Sequence, residues 1–116
     1  MNLNDYQSKI IPFDMFDKSE WNGDLTAPAF MEKVLGLASE AGEVEDKLKK
    51  VLRDDNAKLS PEKREELLKE LGDTLWYIAT IARYLDAPLD EIAEQNIAKL
   101  QSRLDRHQLS GSGDNR

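Results

Sequence analysis

Thr26-Ala27-Pro28-Ala29-Phe30-Met31-Glu32-Lys33-Val34-Leu35-Gly36-Leu37-Ala38-Ser39-Glu40-Ala41-Gly42-Glu43-Val44 runs on into Glu45-Asp46-Lys47-Leu48-Lys49-Lys50-Val51-Leu52-Arg53. In this stretch Phe30, Val34, Leu37, Ala38, Ala41, Val44, Leu48, Val51 and Leu52 recur at steps of three and four, the period of a helix with one apolar face. Thr26 with Pro28 supplies a start, since proline's fixed φ suits the first turn, where its missing N–H costs nothing. The spacing predicts a long helix at about Ala27–Arg53. Downstream, the polar run Asp54-Asp55-Asn56-Ala57-Lys58-Leu59 breaks the pattern, and Ser60-Pro61-Glu62 offers an N-cap, a proline and an early acid. A second helix is expected at about Pro61–Leu85. Ala87-Pro88 interrupts it, and Asp86 or Ala87 is the expected cap of a third helix that carries Leu89, Ile92, Ala93, Ile97, Leu100 and Leu104 and ends near Arg106. Upstream, Leu3, Tyr6, Ile10 and Phe13 keep helical spacing, but Pro12 and the mixed Asp14–Asp24 stretch predict a short helix followed by irregular chain.

Gly and Pro are sparse, 6 and 4, and they fall at helix boundaries rather than at hairpin spacing, so the fold class is all-α. Residues 1–109 are expected to form one helical domain, and residues 110–116 a C-terminal tail that is flexible by composition. The 116 residues carry a formal charge of −7, which argues against nucleic acid or an anionic membrane as a partner. Cysteine is absent, which excludes disulfides, thiolate metal sites and cysteine nucleophiles. With His107 as the single histidine, zinc chemistry and a Ser-His-Asp triad have no support, and His107 itself is assigned no role. No apolar run approaches the roughly 20 residues of a membrane span, and the start lacks the pattern of a signal peptide. A cytoplasmic location is the default expectation.

Two acidic doublets stand out, Glu40-Ala41-Gly42-Glu43 and Glu70-Leu71-Gly72-Asp73. Carboxylates at i and i+3 are helix neighbours, with Cβ atoms roughly 5–6 Å apart. On a wheel, Glu40 sits beside the first apolar face, and Glu70 sits at the edge of the face formed by Leu67, Leu71, Thr74, Ile78 and Ile81. If the helices pack antiparallel through these faces, the doublets converge along one border. Four crowded carboxylates call for protons or a cation, and a hard divalent ion with oxygen ligands fits: Mg²⁺ or Mn²⁺ for phosphate chemistry, Ca²⁺ on ligand type alone. The absence of Glu-x-x-His weighs against a di-iron centre. The plain alternative is that acidic pairs are ordinary helix surface. Gly42 and Gly72, each costing about 1 kcal/mol in a helix interior relative to alanine, predict a close approach of backbone, helix or ligand. Asn96, Lys99 and Arg103 form a polar stripe on the third helix that suits a phosphate and a sugar, or else a fringe reaching solvent. Lys47, Lys50 and Arg53 are either a solvated face or phosphate contacts. Trp76 and Tyr77 suit base stacking, or core and interface.

In context, Gly36-Leu37-Ala38-Ser39-Glu40-Ala41-Gly42-Glu43-Val44 with Lys47-Leu48-Lys49-Lys50, Glu70-Leu71-Gly72-Asp73-Thr74-Leu75-Trp76-Tyr77 and Asn96-Ile97-Ala98-Lys99-Leu100 with Arg103 resembles the MazG-like branch of the all-α nucleoside triphosphate pyrophosphohydrolases. The resemblance covers about Leu37–Arg103 and follows the family's Glu-x-x-Glu, Glu-x-x-Asp and Asn-x-x-Lys signatures in order. It implies hydrolysis of an NTP or dNTP between the α and β phosphates to a monophosphate and pyrophosphate, a nucleotide-pool housecleaning reaction. It implies Glu40, Glu43, Glu70 and Asp73 as Mg²⁺ ligands, with Glu40 or Glu43 acting as a base. Lys50, Asn96, Lys99 and Arg103 would grip phosphate and sugar, and Lys47 and Tyr77 are further candidates for substrate contact. It also implies an antiparallel helical bundle completed in a homodimer or homotetramer. The competing classes are a helical interaction module and a nucleotide or metal sensor without turnover. The ending Gly111-Ser112-Gly113-Asp114-Asn115-Arg116 also resembles the tail of some small members.

Overall fold

A proline at the first turn starts each of the two long helices, α2 at Pro28–Asp54 and α3 at Pro61–Tyr84, within a residue of the sequence expectation. A short helix α1, Leu3–Lys9, precedes them, and α4, Leu89–Asp105, follows; two single 3₁₀ turns at Ile11–Phe13 and Lys18–Glu20 punctuate the stretch before α2. The structure is a computed structural model and describes residues 1–116. The chain is all-α, with no strand and no helix long and apolar enough to cross a membrane. Local chemistry explains two of the starts: Asn2 and Asp5 form a reciprocal capping box on α1, and the Ser60 hydroxyl accepts from the Lys63 amide at 3.2 Å on α3.

The start of α4 departs from expectation. Neither Asp86 nor Ala87 caps it: Pro88 is the N-cap residue and has no side chain to offer, while Asp86 takes a left-handed φ of 55° and pairs with Lys18 at 2.6 Å. The free amides are satisfied from α1 instead. Gln7 Oε1 accepts from Leu89 N at 3.2 Å and Asn4 Oδ1 from Asp90 N at 3.0 Å, while Gln7 Nε2 donates to the Ala79 and Ala87 carbonyls. This end of the molecule also holds the apolar cluster of Ile10, Ala79, Ala82 and Leu89, with Tyr6 and Trp76 packed against it.

Helices α2 and α3 pack antiparallel, because Phe30 meets Tyr84, Gly36 meets Tyr77 and Lys47 meets Glu70 in reverse order. The faces in contact overlap those the apolar pattern predicts but are rotated: Phe30, Leu37, Val44 and Val51 on α2 and Leu67, Thr74 and Ile81 on α3 are buried or half-buried. Val34, Leu48, Leu71 and Ile78, four members of the expected faces, remain 39%, 49%, 51% and 39% exposed. Lys33, Gly36, Glu40 and Lys47 on α2 lie instead along the contact with Glu70, Tyr77 and Tyr84 on α3. Much apolar side chain therefore stays uncovered, on α4 as well, where Ile97, Leu100 and Leu104 are exposed. The radius of gyration is 17.2 Å, against about 13 Å for a compact chain of this length.

The irregular segment before α2 is anchored by a buried ion pair, Lys33 with Asp14 at 2.9 Å, each side chain 2% exposed. The Lys33 ammonium also lies over the rings of Phe16 and Trp76, and Trp21 stacks on Phe30 with centroids 5.1 Å apart. At the other end, residues 110–116, which composition predicts to be flexible, turn back onto α4 through Gly111 and Gly113 at φ of 108° and 87°.

Candidate functional site

Antiparallel packing brings Glu40 across from the Glu70–Asp73 doublet, and carboxylate oxygens of all three lie within 4.8 Å of one another. The i, i+3 spacing on α3 supplies two of them on one face, and the register set by Tyr77 against Gly36 supplies the third. A Cβ at Gly36 would overlap the Tyr77 ring and lie 2.7 Å from its hydroxyl oxygen, so the glycine is what lets the helices close at this level. Glu43, one turn on from Glu40, is exposed and stands outside the tight group.

The cluster has one cation inside it. Lys47 reaches Glu70 at 3.2 Å and Glu66 at 4.0 Å, and the Glu70 hydrogen bond holds its proton more firmly than usual. That leaves a surplus of negative charge. Partial burial, followed by the charges of Asp73, Glu70 and Glu43, pushes the Glu40 carboxyl above its ordinary range. The set is all oxygen, partly buried and unbalanced in charge, which is the donor chemistry of a hard divalent ion. Beside it, the Tyr77 hydroxyl is raised by burial, then by the charges of Glu32 and Glu40.

The other sequence candidates fall into two groups. Lys50 pairs with Asp46 at 2.5 Å on its own helix, and Arg53 pairs with Asp54. Asn96 is exposed and shares a shallow cleft with Ile92, Gln95 and Lys99 on α4. Lys99 and Arg103 form no hydrogen bond or ion pair with the carboxylate cluster; both hold Asp114. Within the chain, Gly42 and Gly72 show no close approach of backbone or helix, since a Cβ at either would meet nothing within 4 Å. Sequence reasoning missed Gly36 as a packing glycine and the Lys33–Asp14 pair. A third glycine inside a helical pattern was the available signal for the first.

Fold and site together define an all-α protein with an oxygen-donor cluster between two long antiparallel helices. Within that class the particular family is shown by comparison: the MazG nucleotide pyrophosphohydrolase domain matches residues 31–107, and the chain belongs to that family. The match spans all of the acidic doublets and the Asn96–Arg103 stripe and stops short of residues 110–116. The chain is also similar to the Gene 37 protein of Mycobacterium phage L5, 49% identical over 82 residues that make up 71% of this chain and 72% of that one. No solved structure matches it.

Proposed function

We propose that the protein hydrolyses nucleoside triphosphates between the α and β phosphates, releasing a monophosphate and pyrophosphate, with Mg²⁺ as the working cation and Mn²⁺ as a substitute. The observation that carries this is the convergence of Glu40, Glu70 and Asp73 at the contact of two helices, in a chain that belongs to a nucleotide pyrophosphohydrolase family. These three residues, with Glu43 at the rim, would hold the cation. When bound, it neutralises triphosphate charge and polarises the attacking water. Water adds across the Pα–O–Pβ linkage, and one carboxylate of the Glu40–Glu43 doublet takes its proton. Lys47 holds Glu70 in place through their 3.2 Å ion pair. Lys50, Asn96, Lys99 and Arg103 supply phosphate and sugar contacts, and Tyr77 borders the site.

A second copy of the chain completes this pocket in the proposed working form, a homodimer or homotetramer. Support comes from the uncovered Val34, Leu71, Ile97 and Leu104 and from the extended shape. The test is pyrophosphate release from a panel of canonical and modified (d)NTPs in Mg²⁺ and in EDTA, with the nucleotide product separated by chromatography. Cation-dependent formation of monophosphate and pyrophosphate is expected. No release from any nucleotide by folded protein in saturating Mg²⁺ would overturn the hydrolytic assignment and leave a binding module.

A further inference from the structure

Residues 99–116 are the cationic end of an acidic chain, with Lys99, Arg103, Arg106 and Arg116 against two carboxylates, Asp105 and Asp114. The segment after α4 is folded over this group rather than away from it. Arg103 Nη2 donates to the Asp114 carbonyl at 2.9 Å and to the Gly113 carbonyl at 3.3 Å, and both Arg103 and Lys99 approach the same Asp114 carboxylate oxygen at 3.4 Å. Arg116 closes the loop from the other side by donating to the Gly113 and Leu109 carbonyls, with its side chain lying against Gly111. The two left-handed glycines make that turn accessible to an L-chain.

The burial is lopsided. Arg103 is only 5% exposed and its Nε is buried with no hydrogen-bond partner, so a fully charged guanidinium is held out of water with a donor to spare. Asp114 is the opposite: its side chain is 84% exposed, and its two ion pairs are long and open to solvent. An exposed carboxylate at such distances is a weak and exchangeable occupant. A phosphate group offers the same charge-assisted contacts with more oxygens and more charge.

We propose that the loop 110–116 regulates the phosphate contacts assigned above to Lys99 and Arg103, filling them with the Asp114 carboxylate until the polyphosphate chain of a nucleotide displaces it. The loop is thus a resident competitor, and Arg116 a positioning residue that keeps it in register. The proposal rests on the triphosphate assignment above for the identity of its ligand, but it is a statement about binding and can fail separately. Its control lies on the same helix: Asp105 carries the same charge nearby, but its carboxylate accepts from Gln101 rather than from Lys99 or Arg103.

The test is calorimetric binding of inorganic tripolyphosphate to the full chain, in EDTA and at fixed low ionic strength, so that neither hydrolysis nor the carboxylate cluster contributes. Asp114→Asn is expected to bind roughly threefold tighter than the natural chain, the scale of one exposed ion pair, and the gain should fade in high salt. Asp105→Asn should give a smaller change, and Lys99→Gln introduced with Asp114→Asn should abolish the gain. Equal affinities of Asp114→Asn and the natural chain would overturn the proposal. So would an equal gain from Asp105→Asn, which would reduce the effect to net charge, or a gain that persists without Lys99. A chain that fails to release pyrophosphate from nucleotides yet shows this pattern would lose the hydrolytic assignment and keep the anion site.

Discussion

Replacing Glu40 by Gln should move the stability of the protein in opposite directions with and without a divalent cation. In EDTA the ionised Glu40 faces Glu70 and Asp73 within 4.8 Å. At that spacing each like-charge pair repels by about 1 kcal/mol when screened as in water. Lys47 offsets part of the Glu70 contribution, so the amide should stabilise the cation-free chain by about 1–2 kcal/mol, on the order of 5 °C in melting temperature. The natural chain should then rise with added Mg²⁺, gaining about 2.7 kcal/mol at a hundredfold excess over its dissociation constant, while Glu40→Gln, short of one ligand, should rise much less. Thermal melts across a MgCl₂ titration at constant ionic strength should therefore cross. The pH dependence has a definite sign. Because the folded state raises the Glu40 pKa above its ordinary 4.5, its ionisation costs stability as pH rises through that range, so the gap between the two chains in EDTA should close as pH falls below it. The reasoning is refuted if Glu40→Gln melts below the natural chain in EDTA, or if both gain equally from the cation.

The three helix-interior glycines should respond to alanine with different signs. Gly42→Ala and Gly72→Ala, with nothing within 4 Å of the new methyl, should each raise the urea midpoint by the equivalent of about 1 kcal/mol. Gly36→Ala, forced against the Tyr77 ring, should lower it by about 1–2 kcal/mol after the helical gain is subtracted, and a neutral Gly36→Ala would remove the close-approach account of the site's register. At the buried pair, Lys33→Met alone should cost about 3 kcal/mol by leaving the buried Asp14 with the longer Arg83 contact at 3.3 Å as its remaining cation, and Lys33→Met with Asp14→Leu should recover most of that loss in the same denaturation assay. Burial pushes the Asp14 carboxyl up, but the hydrogen bond from Lys33, the Phe16 amide and the Lys33 charge together hold it below its ordinary 3.8. Its contribution is thus complete above that value and lost as pH falls beneath it, and a double variant that unfolds in acid at the same pH as the natural chain would contradict this.

The helices were legible in the sequence because proline, caps and a three-and-four period are local signals. Pro28 and Pro61 placed the starts of α2 and α3 to the residue or nearly so. The start of α4 was not legible, since its cap comes from Asn4 and Gln7, more than 80 residues upstream, and no local pattern encodes a borrowed cap. The acidic doublets stood out by spacing, and Glu40, Glu70 and Asp73 do meet. The face that brings them together is the expected one only in part: Phe30, Leu37, Val44 and Val51 are covered, while Val34, Leu48, Leu71 and Ile78 are not. Periodicity identifies side chains such as Val34 and Leu71 that favour burial, but it does not say whether the cover comes from the neighbouring helix or from outside the chain. The Lys33–Asp14 pair was invisible for a related reason, because Asp14 lies in an irregular stretch whose path depends on the tertiary contact itself.

The cap that α1 lends to α4 also sets an order of events during synthesis. Gln7 leaves the ribosome early, yet every group it bonds, the Ala79 and Ala87 carbonyls and the Leu89 amide, is made more than 70 residues later. At ordinary elongation rates that is a wait of roughly 4–16 s, far longer than the roughly 1 μs in which a helix forms. The α2–α3 hairpin, complete by Tyr84, can therefore be assembled before Leu89 and Asp90 offer α1 the amides it caps. The α1 helix is thus made well before the groups it bonds, and its docking completes the start of α4, the helix that carries Lys99 and Arg103.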